Sequence, residues 1–260
     1  MTGDLSENTI DLNADLGEGF GSWSLTDDAA LLDVVTSANV ACGFHAGDPS
    51  IMREVCAAAA ERGVAIGAQV SYRDLAGFGR RFIDVDPVTL ADEVSYQLAA
   101  LSGFARAAGT EVTYVKPHGA LYNACVQHTG QARAVVEGVR RIAGLPILGL
   151  PGSELLAAAA AAGCEPISEA FADRGYTPEG TLVPRREPNA LLEGTEPVVR
   201  RAIGLATRGE ITAVDGTLLH SRAHSLCLHG DSAEAVDRAI AVRAALTSAG
   251  VRLAPFAPLA

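Results

Sequence analysis

Twenty residues of this chain carry lysine or arginine side chains, and only one of them, Lys116, is a lysine. It lies in YVKPHGALYN, two residues before His118. An arginine is a broad planar fork that keeps its proton, whereas an ammonium is compact and its pKa responds to burial. A lysine kept here therefore points to a point cation facing a carbonyl or phosphate oxygen, or to a proton carrier. Pro117 forces Lys116 into extended backbone, and the two-residue period of a strand puts Lys116 and His118 on one side.

Other residues able to do chemistry follow apolar runs in the same way. They are Asp15 and Glu18 in NADLGEG, His45 and Asp48 in ACGFHAGD, Gln69 in GAQVSY, Glu169 in SEAF, and His229 and Asp231 in CLHGD. Acid, base and cation at the ends of six strands are the pattern of a pocket. Asp48 and Asp231 also read as helix caps, and Asp15 and Glu18 sit in a glycine-flanked turn where acidic residues serve backbone geometry. A divalent metal held by Asp15, His45 and His118 is one reading of the set. His220, His224, Cys227 and His229 invite zinc but match no standard spacing.

The elements needed to gather these residues are legible. Strands are expected near 9–14, 37–42, 64–70, 112–116, 146–150, 165–170, 211–214 and 225–229, with helices between most of them. Asp48-Pro49, Asp86-Pro87 and Ser153 mark helix starts, and Asp231 with Glu234 resembles a capping box. Repeated strand–helix alternation predicts an α/β fold, a (β/α) barrel of about seven or eight mainly parallel strands in one domain, 1–260. Chemistry in such a barrel sits at the C-terminal ends of the strands. Segment 172–196, rich in Pro, Gly and Arg, is expected to form a long loop over the mouth.

Composition excludes several functions. A net charge of -11 argues against nucleic acid or an anionic membrane as partner, since either needs a basic face. No apolar run is long enough to span a bilayer, no export signal is read at the N-terminus, and five scattered cysteines suit a reducing cytoplasm. Lys116 precedes Pro117, so there is no P-loop, and GEGFG lacks the dinucleotide spacing. A nucleotide would need helix N-termini, arginines such as Arg80, Arg81, Arg174, Arg185 and Arg186, or a partner.

DLNADLGEGFG, SANVACGFHAGDP, SYRDLAGFGRR, VKPHGALYN, EAFADRGY, LVPR and SLCLHGD together closely resemble the LamB/YcsF lactam-utilisation family, whose members are described as the A subunit of 5-oxoprolinase. The resemblance covers nearly the whole chain. It implies a deformed TIM-like barrel similar to metal-dependent polysaccharide deacetylases. It also implies ATP-coupled opening of the lactam 5-oxo-L-proline to L-glutamate, with ATP as co-substrate of a complex with subunits B and C. One motif departs: the family's GAHPSY reads GAQVSY here, so Gln69 replaces a histidine that would be a ligand by analogy with the deacetylases. No metal is therefore assigned. The expected catalytic residues are Asp15, Glu18, Lys116 and His118; His45, Asp48, Gln69, Arg80, Arg81, Tyr122, Glu169, Arg185 and His229 are assigned to substrate binding. Lys116→Met is expected to abolish turnover and spare the fold. The alternatives are a stand-alone metal-dependent deacetylase or amidase and a non-catalytic member of a complex.

Overall fold

A computed structural model describes residues 8–228 and 234–257. Among the described residues there are ten strands: β1 (Thr9–Leu16), β2 (Ser37–Ala41), β3 (Ala65–Val70), β4 (Val112–Pro117), β5 (Ile147–Gly149), β6 (Pro166–Phe171), β7 (Glu210–Thr212), β8 (Leu218–His220), β9 (Ser225–Leu228) and β10 (Arg252–Leu253). They alternate with helices α1 (Asp28–Leu32), α2 (Pro49–Arg62), α3 (Pro87–Ala107), α4 (Gly119–Gln127), α5 (Thr129–Ile142), α6 (Glu154–Ala161), α7 (Thr195–Arg208) and α8 (Ala235–Ser248). Strands β1 to β6 pair in sequence order, β6 pairs β9, and β9 pairs β1, all parallel, so seven strands close a barrel. Strand β10 adds to the start of β1.

The region expected as a strand at 211–214 does not join the barrel. It forms β7, which turns back through Asp215-Gly216 and pairs antiparallel with β8 as a separate hairpin. The gap is bridged by a direct β6–β9 pairing, with Glu169 opposite Ser225.

Both faces of the barrel strands are buried, but they differ in chemistry. In β1, Ile10, Leu12, Ala14 and Leu16 belong to the apolar core shared with the helices, while Asp11, Asn13 and Asp15 hydrogen-bond across the barrel interior. The alternation carries round the wall: Asn39 donates to Asn13 Oδ1 (2.7 Å), Tyr114 to Asn39 Oδ1 (2.7 Å) and Lys116 to Glu169 (2.7 Å). Buried polar groups are tolerated when they satisfy one another. Gly67 makes room for this interior, since a Cβ there would lie 2.1 Å from the Tyr114 ring. At the N-terminal end Phe256 packs on Tyr114, ring centroids 4.8 Å apart, and closes the barrel floor.

Helix starts follow the sequence. Asp48 accepts from the Ser50 and Ile51 amides, Asp86 from Val88 and Thr89, and Ser153 from Leu156. The cap expected at Asp231 lies outside the described residues; α8 begins after Glu234, which makes no side-chain cap. All five cysteines are buried free thiols. No described helix is long and apolar enough to cross a membrane.

Candidate active site

The C-terminal mouth opens into a cavity of about 880 Å³. Asp15, from the end of β1, and Lys116 and His118, from the end of β4, form its floor; Tyr122 on α4 and Phe171 on β6 flank them. Arg80, Arg174, Arg185 and Arg186 supply cationic wall, together with Phe82, Leu182 and Pro184. The last of these residues come from segment 172–196, which does cover the mouth. Arg174 is the brace of that segment, donating to Ala190 O (3.1 Å) and Val183 O (2.7 Å). Burial pushes its pKa down to about 10, so it remains cationic at neutral pH.

Lys116 is more deeply held than its position at a strand end implies. Its Nζ lies 2.7 Å from Glu169 Oε1, 3.5 Å from Asp15 Oδ1, 3.3 Å from Asn13 Oδ1 and 3.2 Å from Cys227 Sγ. Burial works against the charge, but Cys227, Glu169 and Asp15 around it reverse that and hold the pKa well above its ordinary value. Lys116 is thus a fixed cation and not a proton carrier near neutral pH. Lys116→Met also strips the buried Glu169 carboxylate of its partner, so this substitution is expected to cost stability as well as turnover.

Behind the floor, His45 and His118 stack nearly parallel, centroids 3.9 Å apart and planes 11° apart. Burial lowers both pKa values. His45 falls to about 4, and His118, with His45 beside it, falls well below its ordinary value. Both rings are neutral at pH 7. His118 Nε2 donates to Phe78 O (3.1 Å). A tight turn makes that contact possible: Gly79 has φ +64°, and a Cβ there would lie 2.9 Å from both His118 Cδ2 and His45 Cβ.

Glu18, His45 and His118 offer three ligand-type atoms within 4.8 Å of one another, a set able in donor type to hold a metal ion. Their arrangement fits one poorly. The Gln69 amide is hydrogen-bonded to all three, at 3.3, 3.2 and 3.0 Å respectively. A metal lies along an imidazole nitrogen's lone pair, in the ring plane, at about 2.0–2.1 Å. Two stacked rings place those lone pairs in separate planes, so one ion cannot satisfy both without moving a ring and expelling the amide.

The residues expected from sequence divide accordingly. Asp15, Lys116, His118, Tyr122, Arg80 and Arg185 line the cavity. His45, Glu18 and Gln69 are buried beside it, and Glu169 is buried beneath it against Lys116. Asp48 is spent on capping α2 and on the Gly21 amide (2.9 Å). Arg81 turns to Asp74, Nε 2.9 Å from Oδ1, leaving its neighbour Arg80 to face the cavity. Of the sequence's zinc candidates, His220 is exposed on β8, His224 accepts from the Ser168 amide, and Cys227 is inside the barrel, so these do not meet; His229 lies outside the described residues. Sequence reasoning missed Asn13, Asn39 and Tyr114. Amides within the apolar runs DLNADL and SANVA were the available signal.

A parallel barrel with a carboxylate, a fixed cation and an arginine wall at its C-terminal mouth defines a (β/α)-barrel protein with an enzyme-type pocket. The chain belongs to the LamB/YcsF family, whose model matches residues 10–260. It is 65% identical over 249 residues to the A subunit of 5-oxoprolinase from Streptomyces coelicolor, spanning 95% of this chain and 100% of that protein. It is 57% identical over 250 residues to the protein of the same name from Mycolicibacterium gilvum, spanning 96% and 99%. The crystal structure of the lactam utilization protein from Thermus thermophilus superposes with a TM-score of 0.91 at 40% identity, covering 95% of this chain and 100% of that one. A family 4 carbohydrate esterase from Streptomyces lividans shares the fold at a TM-score of 0.52 and 12% identity, covering 96% and 93%.

Proposed function

We propose that this chain is the A subunit of a 5-oxoprolinase and opens 5-oxo-L-proline to L-glutamate, coupled to ATP hydrolysis, together with subunits B and C. The observation that carries the chemistry is the juxtaposition of Asp15 with the fixed cation Lys116, 3.5 Å apart, under an arginine wall. The relatives that bear the 5-oxoprolinase name supply the substrate class.

A five-membered lactam is a resonance-stabilised amide, and water attacks it over a high barrier. Transfer of the ATP γ-phosphoryl group to the lactam oxygen removes that resonance. Water then adds at the ring carbon as Asp15 takes its proton, the C=N electrons moving onto the ring nitrogen, while the anionic phosphate carried on the former lactam oxygen faces Lys116. The ring C–N bond breaks, its electrons and a proton going to nitrogen, and leaves an acyl phosphate. A second water releases phosphate and glutamate. Asp15 is preferred to Glu18 as the base because Asp15 lines the cavity. Neutral His118, with both ring nitrogens engaged, holds the floor in place. Arg80 and Arg185 are suited to the substrate carboxylate or the phosphate.

The test is reconstitution. The purified chain is mixed with subunits B and C, and glutamate and ADP are followed with 5-oxoproline and ATP present. Glutamate should form only when all three are combined; undiminished glutamate without this chain refutes the role. Asp15→Asn should abolish turnover in the assembled complex without preventing assembly.

A further inference from the structure

We infer that Gln69 is a positioning residue that occupies the place of a metal ion, locking the tautomers of His45 and His118 by hydrogen bonds, so that this pocket is organised by an amide where its donor set suggests a cation. A carboxamide has one acceptor oxygen and two N–H donors. Gln69 uses its oxygen and both N–H donors on the three ligand-type residues. Its oxygen accepts from His45 Nε2 (3.2 Å), and its nitrogen donates to His118 Nδ1 (3.0 Å) and Glu18 Oε1 (3.3 Å). The opposite amide orientation would set its oxygen against the Glu18 carboxylate, so the network selects one orientation.

That orientation dictates both tautomers. His118 must leave Nδ1 bare and carry its proton on Nε2, which is the nitrogen that donates to Phe78 O. His45 must carry its proton on Nε2 and leave Nδ1 bare, and Nδ1 is a buried atom without a hydrogen-bond partner. The Phe78 contact thus agrees with the assignment made from Gln69, and nothing at His45 Nδ1 calls for a proton there. The stacking of the rings agrees as well, because parallel imidazoles suit an amide bridging two planes and not one ion shared between them. Gln69, at the end of β3 and opposite Lys116 in the sheet register, is fully buried and has no route to an alternative partner in water.

The composition of the pocket does not depend on the lactam reading, so it is tested without turnover. The chelator-stripped chain is titrated with Co(II) and read by its visible ligand-field absorption, alongside Gln69→His and the double variant Gln69→His/His118→Ala. The native chain should give no band, Gln69→His should gain one that saturates at one equivalent, and the double variant should lose it. A band at one equivalent in the native chain that His118→Ala removes overturns the inference. The second measurement needs no variant: two-bond proton–nitrogen spectra of the native chain should show both His45 and His118 neutral and protonated at Nε2, and the other tautomer in either ring overturns the inference too. In Gln69→Leu the tautomer preference of His45 should be lost while His118, still donating to Phe78 O, keeps its own, and the fold, followed by circular dichroism, persists.

Discussion

Lys116 and Glu169, 53 residues apart in sequence, meet inside the barrel with Nζ 2.7 Å from Oε1, both almost entirely buried. Breaking a buried pair from one side leaves a charge uncompensated and costs about 3–5 kcal/mol, whereas replacing both partners with apolar groups is often neutral. Lys116→Met should therefore lower stability by about that amount and abolish turnover. Lys116→Met/Glu169→Leu should recover most of the stability and none of the activity. Urea denaturation of the two variants separates the structural share of Lys116 from its share in the chemistry.

Asp11 at the barrel floor accepts from Thr36 and Ser37, each at 2.6 Å, and from Ser225. Burial nevertheless raises its pKa from 3.8 to about 6. The folded state then binds a proton that the unfolded state releases, so the contribution of Asp11 is fully present below about pH 4 and is lost as pH rises through 6. The shift corresponds to about 3 kcal/mol. Asp11→Asn should remove this downward slope, and the stability difference between the two proteins, measured from pH 4 to 7, should change by up to about that amount in the variant's favour.

The turn carrying Phe78 and Gly79 rests on the histidine pair. A methyl group at Gly79 would stand 2.5 Å from Ser71 Oγ as well as against both rings, in a left-handed conformation that disfavours any side chain. Gly79→Ala should cost about 1–3 kcal/mol, read as a lowered melting temperature, and should reduce kcat by displacing His118.

Arg80 and Arg185 face the cavity while Arg81 is bound to Asp74. A hydrogen bond to a charged group contributes about 1.5–3 kcal/mol. On the proposed 5-oxoprolinase function, Arg80→Ala or Arg185→Ala should therefore raise KM for 5-oxoproline or for ATP by about ten- to a hundredfold, whereas Arg81→Ala should leave both KM values near normal. Steady-state kinetics of the assembled enzyme distinguishes the two outcomes, and shows which substrate each arginine serves.

By itself the sequence determined the barrel class, because apolar runs alternating with proline-started helices leave a parallel sheet few ways to bury both faces. It also determined that Asp15, Lys116 and His118 share a rim, since each lies at or just past the end of an apolar run and Pro117 keeps the last strand extended. The family was legible in motifs spread along the whole chain. Tertiary structure alone decided the rest. Whether β7 joins the barrel depended on the pairing of β6 with β9, a contact between segments more than fifty residues apart that no local pattern encodes. The alternation in TIDLNADL reads as one wet face and one dry face, yet closure of the wheel buried both and turned Asp11, Asn13 and Asp15 inward to find partners on other strands. Likewise, a glutamine in GAQVSY says only that a histidine is missing. That its amide reaches Glu18, His45 and His118 at once is a property of three strand ends brought within hydrogen-bond distance by the fold.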